Sequence, residues 1–84
     1  MSANQDLLYA MQAIENWLLN QGYGISVREL MEALGLSSTA SVMYRLDRLK
    51  REGLVTWTPR TQRTLRLTEK GRALLTWENE RRTA

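Results

Sequence analysis

The sequence contains no cysteine and no histidine, and it has a single proline among its 84 residues. Without cysteine the chain has no disulfide framework, no thiol nucleophile and no thiolate metal ligand. Without histidine it lacks the commonest general base and the commonest metal ligand. The acidic residues are scattered, with no convergent spacing. We therefore expect no catalytic residues, no cofactor and no metal site.

Long hydrophobic runs are also absent. No apolar stretch approaches the roughly 20 residues that span a bilayer, and the N-terminus does not have the pattern of a signal peptide. The apolar content of 43% is ordinary for a globular fold. These features predict a single domain over residues 1–84, with a modest core, in the cytoplasm and with no membrane partner.

The charge is divided unevenly along the chain. Residues 1–35 contain one basic and four acidic residues, whereas residues 36–84 contain eleven basic and five acidic residues. Ten of the twelve basic residues are arginine, whose planar fork suits phosphate and guanine better than a lysine does. A basic half of a small domain favours a polyanionic partner, although a solvated arginine-rich helix face has the same composition.

Helical spacing of apolar residues predicts a first helix over about residues 4–21. Ser2 or Asn4 is a candidate cap for its start, and Gly22 and Gly24 are expected to end it. The outer face is polar without a basic cluster, so we interpret this helix as scaffold. Its apolar stripe comprises Leu7, Leu8, Met11, Ile14, Trp17 and Leu18. The short segment 23–25 is a candidate for one edge pairing with a small sheet.

A second and a third helix follow, joined by a tight turn. Ser26 and Glu29 have the spacing of a capping box, and Gly35 supplies the left-handed backbone of a sharp turn. Leu36 would fill the gap between the two helices. The inner face of the second helix comprises Val27, Leu30, Met31 and Leu34. The third helix is predicted over 38–52, capped by Ser37 or Ser38 and stopped by Gly53.

The third helix has one apolar stripe, formed by Val42, Leu46 and Leu49 at i, i+4 and i+7, which must face the core. This assignment leaves the opposite face free, with small residues at its start and arginines further along. The outward or flanking residues are Thr39, Ala40, Met43, Tyr44, Asp47, Arg48 and Arg51. Two helices joined this way are typical of a helix-turn-helix, whose second helix enters the DNA major groove.

After residue 53 the apolar period changes from helical to alternating. Segments 54–58 and 64–67 alternate and are rich in β-branched or aromatic residues, which predicts two antiparallel strands. The loop between them contains two arginines and no acid. We interpret the hairpin as a basic wing, because arginine inserts well into a narrow minor groove. The alternative is an ordinary exposed hairpin.

A last helix is predicted over about residues 68–80, capped by Thr68, with an apolar stripe of Ala73, Leu74 and Trp77. The tail 80–84 has nothing to bury and is expected to fray. Two interpretations of this helix stay open. It docks on the domain and covers the core, or Leu74, Leu75 and Trp77 form a homodimer surface.

Three segments carry a family resemblance. Residues 22–30 (GYGISVREL), 32–38 (EALGLSS) and 42–46 (VMYRL) resemble the N-terminal DNA-binding domain of LexA repressors. The likeness continues through Leu49, residues 53–55 and residues 63–67, and covers about residues 7–67. Residues 67–72 (LTEKGR) instead resemble the step into the last helix of MarR-type winged-helix regulators, a helix that often contributes to dimers in that group.

The resemblance implies an α+β winged helix-turn-helix. Its core over 4–67 would have three helices and a two-stranded wing, followed by the extra C-terminal helix. Transferred by position, the base-reading residues would be Ala40, Met43 and Tyr44, flanked by Ser38 and Thr39. LexA proteins continue into a self-cleaving serine–lysine protease domain, and the sequence stops before one. We therefore expect no autoproteolysis in this polypeptide.

These observations together predict sequence-specific binding of double-stranded DNA by a small transcriptional repressor of bacterial, phage or plasmid origin. Helix 38–52 would lie in the major groove, and the wing 58–63 on the minor groove or the backbone. The arginines expected on the flanking backbone are Arg45, Arg48 and Arg51, and the wing residues expected on DNA are Arg60, Thr61, Gln62 and Arg63. The alternative is a winged-helix module for protein interaction or replication, which outward Met43 and Tyr44 would also suit.

Overall fold

The computed structural model describes residues 2–83 of the chain, with side chains described over residues 5–82. The two candidate caps Ser2 and Asn4 therefore lie outside the described side chains. Along the chain the elements are α1 (Ser2–Gln21), α2 (Val27–Ala33), α3 (Thr39–Arg51), β1 (Val55–Thr56), β2 (Arg66–Leu67) and α4 (Glu69–Thr83). This order confirms the predicted α+β class, with three helices, a two-stranded sheet and a final helix.

Helix α1 supplies one wall of the core through the predicted stripe. Leu7, Met11 and Ile14 are buried together with Ala10, whereas Leu18 is only half-buried. The helix ends at Gln21, and the backbone turns at Gly22 with φ of 81°. Helix α1 therefore acts as scaffold, as its apolar stripe and polar outer face indicate.

The turn between α2 and α3 forms as the capping signals predict. The Glu29 amide donates to Ser26 Oγ at 3.0 Å, and the Ser26 amide donates to Glu29 Oε1 at 2.9 Å, which completes the capping box. Gly35 has φ of 68°, and Leu36 packs on the core cluster. Ser38 caps α3 because its Oγ accepts from the Ser41 amide at 3.2 Å.

Helix α3 is oriented by its apolar stripe. Val42, Leu46 and Leu49 are all buried, which confirms the predicted inner face. The helix ends before Gly53, whose φ of 76° turns the chain toward β1. Since three residues on successive turns are fixed in the core, the opposite face of α3 has to point to solvent.

The sheet of the wing is shorter than predicted. Val55 pairs with Leu67 and Thr56 pairs with Arg66, and these two pairs make up the antiparallel ladder. Beyond them the Thr58 amide donates to Thr64 Oγ1 at 2.9 Å, so a side chain takes the place of a cross-strand carbonyl. Residues 23–25 form no strand in the described chain.

Helix α4 departs from the prediction in its inner face and its length. Leu75 is buried, with 5% of its surface exposed, whereas Ala73 is exposed and Trp77 is 53% exposed. The predicted stripe was therefore wrong at Ala73 and Trp77, whereas Leu74 packs on the core as predicted. The helix starts on the Thr68 cap, whose Oγ1 accepts from the Gly71 amide at 3.0 Å and donates to the Gly53 carbonyl at 2.6 Å. These bonds fix the rotation of α4, which turns Gly71, Leu74 and Leu75 inward.

Helix α4 extends to Thr83, past the predicted end near residue 80, and the expected fraying of the tail stays a prediction. Arg81 explains this extension, because its guanidinium pairs with Glu78 at 3.1 Å and lies 4.6 Å from the centre of the Trp77 ring. Pairs at i, i+3 and i, i+4 stabilise the last turns of an exposed helix.

Within residues 2–83, no helix is both long and apolar enough to cross a membrane.

Candidate nucleic-acid interface

The exposed face of α3 brings together most of the residues predicted to read bases. Tyr44 is 64% exposed and Met43 is 36% exposed, and both lie on the side opposite the buried stripe. Thr39 and Ala40 are exposed in the first turn, next to the Ser38 cap. Small side chains at the start of the helix leave its backbone accessible to a close-approaching surface.

Arg28 lies at the start of this face, and the sequence interpretation missed it. A shallow depression on the surface is lined by Arg28 and Met31 of α2 together with Ser37, Ser38 and Thr39. The turn at Gly35 brings these two helix starts together. The available signal was that Arg28 is the one basic residue in the first 35 positions, and that it follows the capping serine by two residues.

The other flank of α3 faces the wing across a half-open groove of about 380 Å³. Met43 lines this groove from α3, Trp57 lines it from the chain just after β1, and Gln62 lines it from the wing loop. Lys50 lies above the Trp57 ring, with its Nζ 4.3 Å from the ring centre. The contact joins the far end of α3 to the base of the wing, so the helix and the wing present one continuous surface.

The three predicted backbone-contacting arginines of α3 have different surroundings. Arg45 is turned toward α1, where its Nη2 lies 3.6 Å from Asp6 Oδ2. Its Nη1 donates to the Ser41 carbonyl, one turn earlier in α3, at 3.1 Å. Arg48 lies 3.8 Å from Glu52 in an i, i+4 pair, and Arg51 is exposed. Exposed pairs of this length are weak and are readily exchanged for a phosphate. Arg48 and Arg51 are therefore more accessible to a polyanion than Arg45.

The tip of the wing is a tight turn held by threonines. The Thr61 amide donates to the Thr58 carbonyl at 3.2 Å, and Thr64 Oγ1 donates to the Thr61 carbonyl at 3.0 Å. Arg60 lies inside this turn in the left-handed region, with φ of 62°. Residues other than glycine rarely adopt such a backbone, so the surrounding bonds have to hold it. Arg60, Thr61 and Gln62 are all exposed at the tip.

Arg63 has a different environment from Arg60. Its Nη1 lies 3.0 Å from Glu29 Oε1 and its Nη2 lies 3.2 Å from Glu29 Oε2, a two-pronged pair. Nη1 also donates to the Gly24 carbonyl at 3.3 Å, and the guanidinium lies 4.7 Å from the centre of the Tyr23 ring. The structure thus places Arg63 beside α2, separate from the tip residues with which the sequence grouped it.

This pair dominates the electrostatics of the wing. The hydrogen bonds from Arg63 and from the Ser26 backbone hold the pKa of Glu29 at about 2, well below its ordinary value of 4.5. The same hydrogen bond to Glu29 raises the pKa of Arg63. Glu29 is therefore a carboxylate throughout the neutral range.

Across the part of the chain that the structure describes, no cluster of three or more metal-ligating residues occurs.

Comparison with known proteins agrees with this arrangement of helix, turn and wing. The family profile described as the LexA DNA binding domain matches residues 3–64. The chain belongs to this family. The LexA match ends before β2 and α4, so the likeness of the last helix to MarR-type regulators stays a prediction.

Individual LexA relatives support the assignment. The chain is 49% identical over 51 residues to a LexA repressor of Oenococcus oeni, which covers 61% of this chain and 24% of that protein. It is 57% identical over 35 residues to a LexA repressor of Clostridium botulinum, covering 42% of this chain and 17% of that protein. It is also 34% identical over 67 residues to a transcription regulator LexA of Synechocystis, covering 75% of this chain and 33% of that protein. The chain thus spans a third or less of each of these relatives.

Proposed function

We propose that this protein binds double-stranded DNA in a sequence-specific manner and acts as a transcriptional repressor in the cytoplasm. The main supporting observation is the orientation of α3. Val42, Leu46 and Leu49 are buried, and the opposite face of the helix is exposed beside an exposed wing tip. An exposed helix of this width fits the major groove of B-DNA. Membership in the LexA DNA-binding family supports the same function.

Base contacts would come from the first two turns of α3. Ala40 and Met43 present apolar surface that can pack on a thymine methyl group, and the Tyr44 hydroxyl can bond to a base edge or a phosphate. Thr39 adds a hydroxyl beside them. Because Ala40 and Met43 favour apolar contact, we expect thymine at the base positions that they reach.

Phosphate contacts would surround this reading surface. Arg28 and the Ser38 hydroxyl lie together at the start of α3, Arg48 and Arg51 lie at its far end, and Arg60 lies at the wing tip. About four to six such contacts give a slope of roughly −4 to −5 for the logarithm of the association constant against the logarithm of salt concentration. Arg45 would join them only after leaving Asp6.

A homodimer would raise affinity by binding two half-sites one helical turn apart. In this proposal the contact surface on α4 includes Trp77 and the half-buried Leu74. It does not include Leu75, because that side chain is already buried in the core of one chain. Sedimentation equilibrium of the unaltered chain and of Trp77→Ala tests the proposal: a mass of two chains that reverts to one on substitution supports it.

The direct test of DNA binding is a fluorescence anisotropy titration of the unaltered chain with random duplex DNA at two salt concentrations. We expect binding at low salt that weakens steeply as salt is raised. Selection of bound sequences from a random duplex library then measures specificity. Absence of binding at low salt would overturn the proposed function and leave protein interaction as the better explanation of exposed Met43 and Tyr44.

A pair of variants, one that removes a charge and one that removes a hydroxyl, separates general from sequence-specific binding. Arg48→Gln should weaken binding to every duplex by a similar factor, because it removes a phosphate contact. Tyr44→Phe, which keeps the ring and removes the hydroxyl, should instead change the ranking of selected sequences. If Tyr44→Phe leaves the ranking unchanged, Tyr44 does not read bases.

A further inference from the structure

We propose that Glu29 and Arg63 form a clasp that holds the wing against the start of α2, which makes Arg63 a positioning residue and not a DNA ligand. This proposal rests on the proposed function, because the clasp would set the distance between the wing tip and the reading face of α3. The sequence alone grouped Arg63 with Arg60 as two basic wing residues. The structure separates their roles.

The first observation is that both terminal nitrogens of the Arg63 guanidinium already have protein partners, although 40% of the side chain stays exposed. Both terminal nitrogens donate to Glu29, at 3.0 and 3.2 Å, and one of them also donates to the Gly24 carbonyl at 3.3 Å. One face of the group lies over the Tyr23 ring at 4.7 Å. Paired planar groups of this kind have a fixed relative orientation, unlike a single point-charge contact.

The second observation is that the backbone of the wing is seated in the same place. A side-chain carbon added at Gly24 would lie only 2.6 Å from the Arg63 carbonyl oxygen and 2.8 Å from the Leu65 carbonyl oxygen. The segment before α2 is therefore in close backbone contact with the chain that leaves the wing tip. Side chain and backbone of Arg63 are both fixed to the residues around the start of α2.

The third observation is that the strand ladder of the wing is short. Its ladder consists of two residue pairs, and a two-stranded hairpin is marginal in water without packing. Arg63 itself has φ of 63°, a backbone region that is costly for a residue with a side chain. Threonine bonds hold the tip and buried strand residues hold the base, and the pair with Glu29 adds the bond that fixes Arg63 itself.

Glu29 joins the wing to the helix-turn-helix through one carboxylate. Its Oε1 accepts both from the Ser26 amide of the capping box and from Arg63, whereas its Oε2 accepts from Arg63. The start of α2 and the base of the wing are thus bonded to the same group. Because α2 packs on α3, this carboxylate relates the wing to the reading face.

For removal of the Glu29 charge, the clasp and simple electrostatics predict opposite changes in DNA affinity. Removing a negative charge from a DNA-binding surface ordinarily strengthens binding. If Glu29 merely competed with DNA for Arg63, its removal would free one cation and steepen the salt dependence. If Glu29 holds the wing in place, its removal weakens binding, because the contacts at the wing tip are lost with the wing position.

The experiment compares Glu29→Gln, Glu32→Gln and the unaltered chain by anisotropy titration with one duplex over a range of salt. Glutamine keeps an acceptor for the capping box, and Glu32 is an exposed residue of the same helix whose change removes the same charge. We expect Glu29→Gln to bind about tenfold more weakly, with a salt slope smaller by about 1. We expect Glu32→Gln to bind as tightly as the unaltered chain or tighter. Tighter binding by Glu29→Gln with a steeper slope would overturn the clasp.

Arg63→Lys gives an independent measurement, since it keeps the charge and loses the planar fork. Binding weakened about fivefold or more is expected from the clasp, whereas a phosphate contact made by a point charge would tolerate lysine. Binding within twofold of the unaltered chain would contradict the clasp. Circular dichroism verifies that each variant is folded at the titration temperature.

Amide relaxation measurements test the clasp without DNA. In Glu29→Gln, heteronuclear NOE values of residues 58–63 should fall while those of α3 stay unchanged. Unchanged values in the wing would overturn the clasp even if DNA binding weakens. If the unaltered chain fails to bind any duplex, the proposed function fails separately, and the relaxation result still decides whether Glu29 holds the wing.

Discussion

Gly71 in the first turn of α4 lies directly against the backbone carbonyl of Leu54, so closely that a Cβ at position 71 would overlap the Leu54 oxygen. The same carbonyl accepts the Thr68 amide at 3.0 Å. The chain that leaves α3 and the chain that enters α4 are therefore in contact through backbone atoms. Any side chain at position 71 has to separate them.

Gly71→Ala is expected to lower the free energy of unfolding by about 1–3 kcal/mol, the range for forced overpacking. Helix propensity alone predicts the opposite sign, because alanine in a helix interior is favoured over glycine by about 0.5–1 kcal/mol. Urea unfolding followed by circular dichroism measures the change.

Thr76→Ala is the matched control for this substitution, since Thr76 is exposed in the same helix. It should leave stability unchanged or raise it by about 0.5 kcal/mol through propensity. A stabilising Gly71→Ala would mean that α4 does not approach Leu54 as closely as the structure has it.

Arg60→Asn is expected to separate folding from DNA binding at the wing tip. Asparagine tolerates the left-handed backbone that Arg60 adopts, so stability should stay within about 0.5 kcal/mol of the unaltered chain. The charge is lost, so the salt slope of DNA binding should fall by about 1. Anisotropy titrations over a range of salt measure this slope.

The control for Arg60→Asn is Arg82→Asn, which removes the same charge from exposed α4. This variant should bind DNA with nearly the slope of the unaltered chain, because its charge lies outside the proposed interface. An equal decrease of the salt slope in the two variants would indicate that net charge, and not the wing tip, sets the salt dependence of DNA binding.

The sequence predicted the helix-turn-helix well because its signals are local. The Ser26 and Glu29 capping box, the turn at Gly35 and the stripe through Val42 each act within one or two helical turns. The exposed side of α3 follows from that stripe alone. Periodicity therefore predicts which residues of α3 are buried and which are exposed.

The sequence-based predictions were wrong where contacts between distant parts of the chain determine the orientation of a helix or a side chain. The rotation of α4 depends on its bonds with Gly53 and Leu54, fifteen or so residues earlier, so periodicity selected Trp77 where the structure buries Leu75. The environment of Arg63 likewise depends on Glu29, which lies 34 residues away. Composition marks Arg63 as a wing cation, and only the fold brings it to a carboxylate.

Truncation of Leu75 should destabilise the fold much more than truncation of Trp77. Leu75→Ala is expected to lower the free energy of unfolding by about 2–4 kcal/mol, because it opens a cavity in the core. Trp77→Ala should lower it by about 1 kcal/mol or less, because the exposed ring loses mainly its contact with Arg81. Urea unfolding at a concentration where the protein is monomeric gives both values. If Trp77→Ala lowers the free energy of unfolding more than Leu75→Ala does, Trp77 and not Leu75 faces the core, as the sequence predicted.

Acid should remove the contribution of the Glu29–Arg63 pair to stability in a defined pH range. The pKa of Glu29 is about 2 in the folded chain and near its ordinary 4.5 when unfolded. A carboxyl group whose pKa is lowered by folding stabilises the fold fully above the unfolded value, and loses this contribution as the pH falls toward the folded value. The unaltered chain should thus exceed Glu29→Gln in stability at pH 6, and the difference should shrink between about pH 5 and pH 2.5.

Urea unfolding of both proteins across this pH range measures the difference, and taking the difference cancels the titration of the other carboxylates. The control is the same comparison in an Arg63→Gln background. In that background Glu29→Gln should lower the free energy of unfolding at pH 6 by a smaller amount, because the partner that lowers the Glu29 pKa most is gone. A difference that stays constant down to pH 2.5 would show that the ionised Glu29 carboxylate is not what stabilises the fold. A difference that is unaffected by Arg63→Gln would show that Glu29 stabilises the fold through the capping box alone.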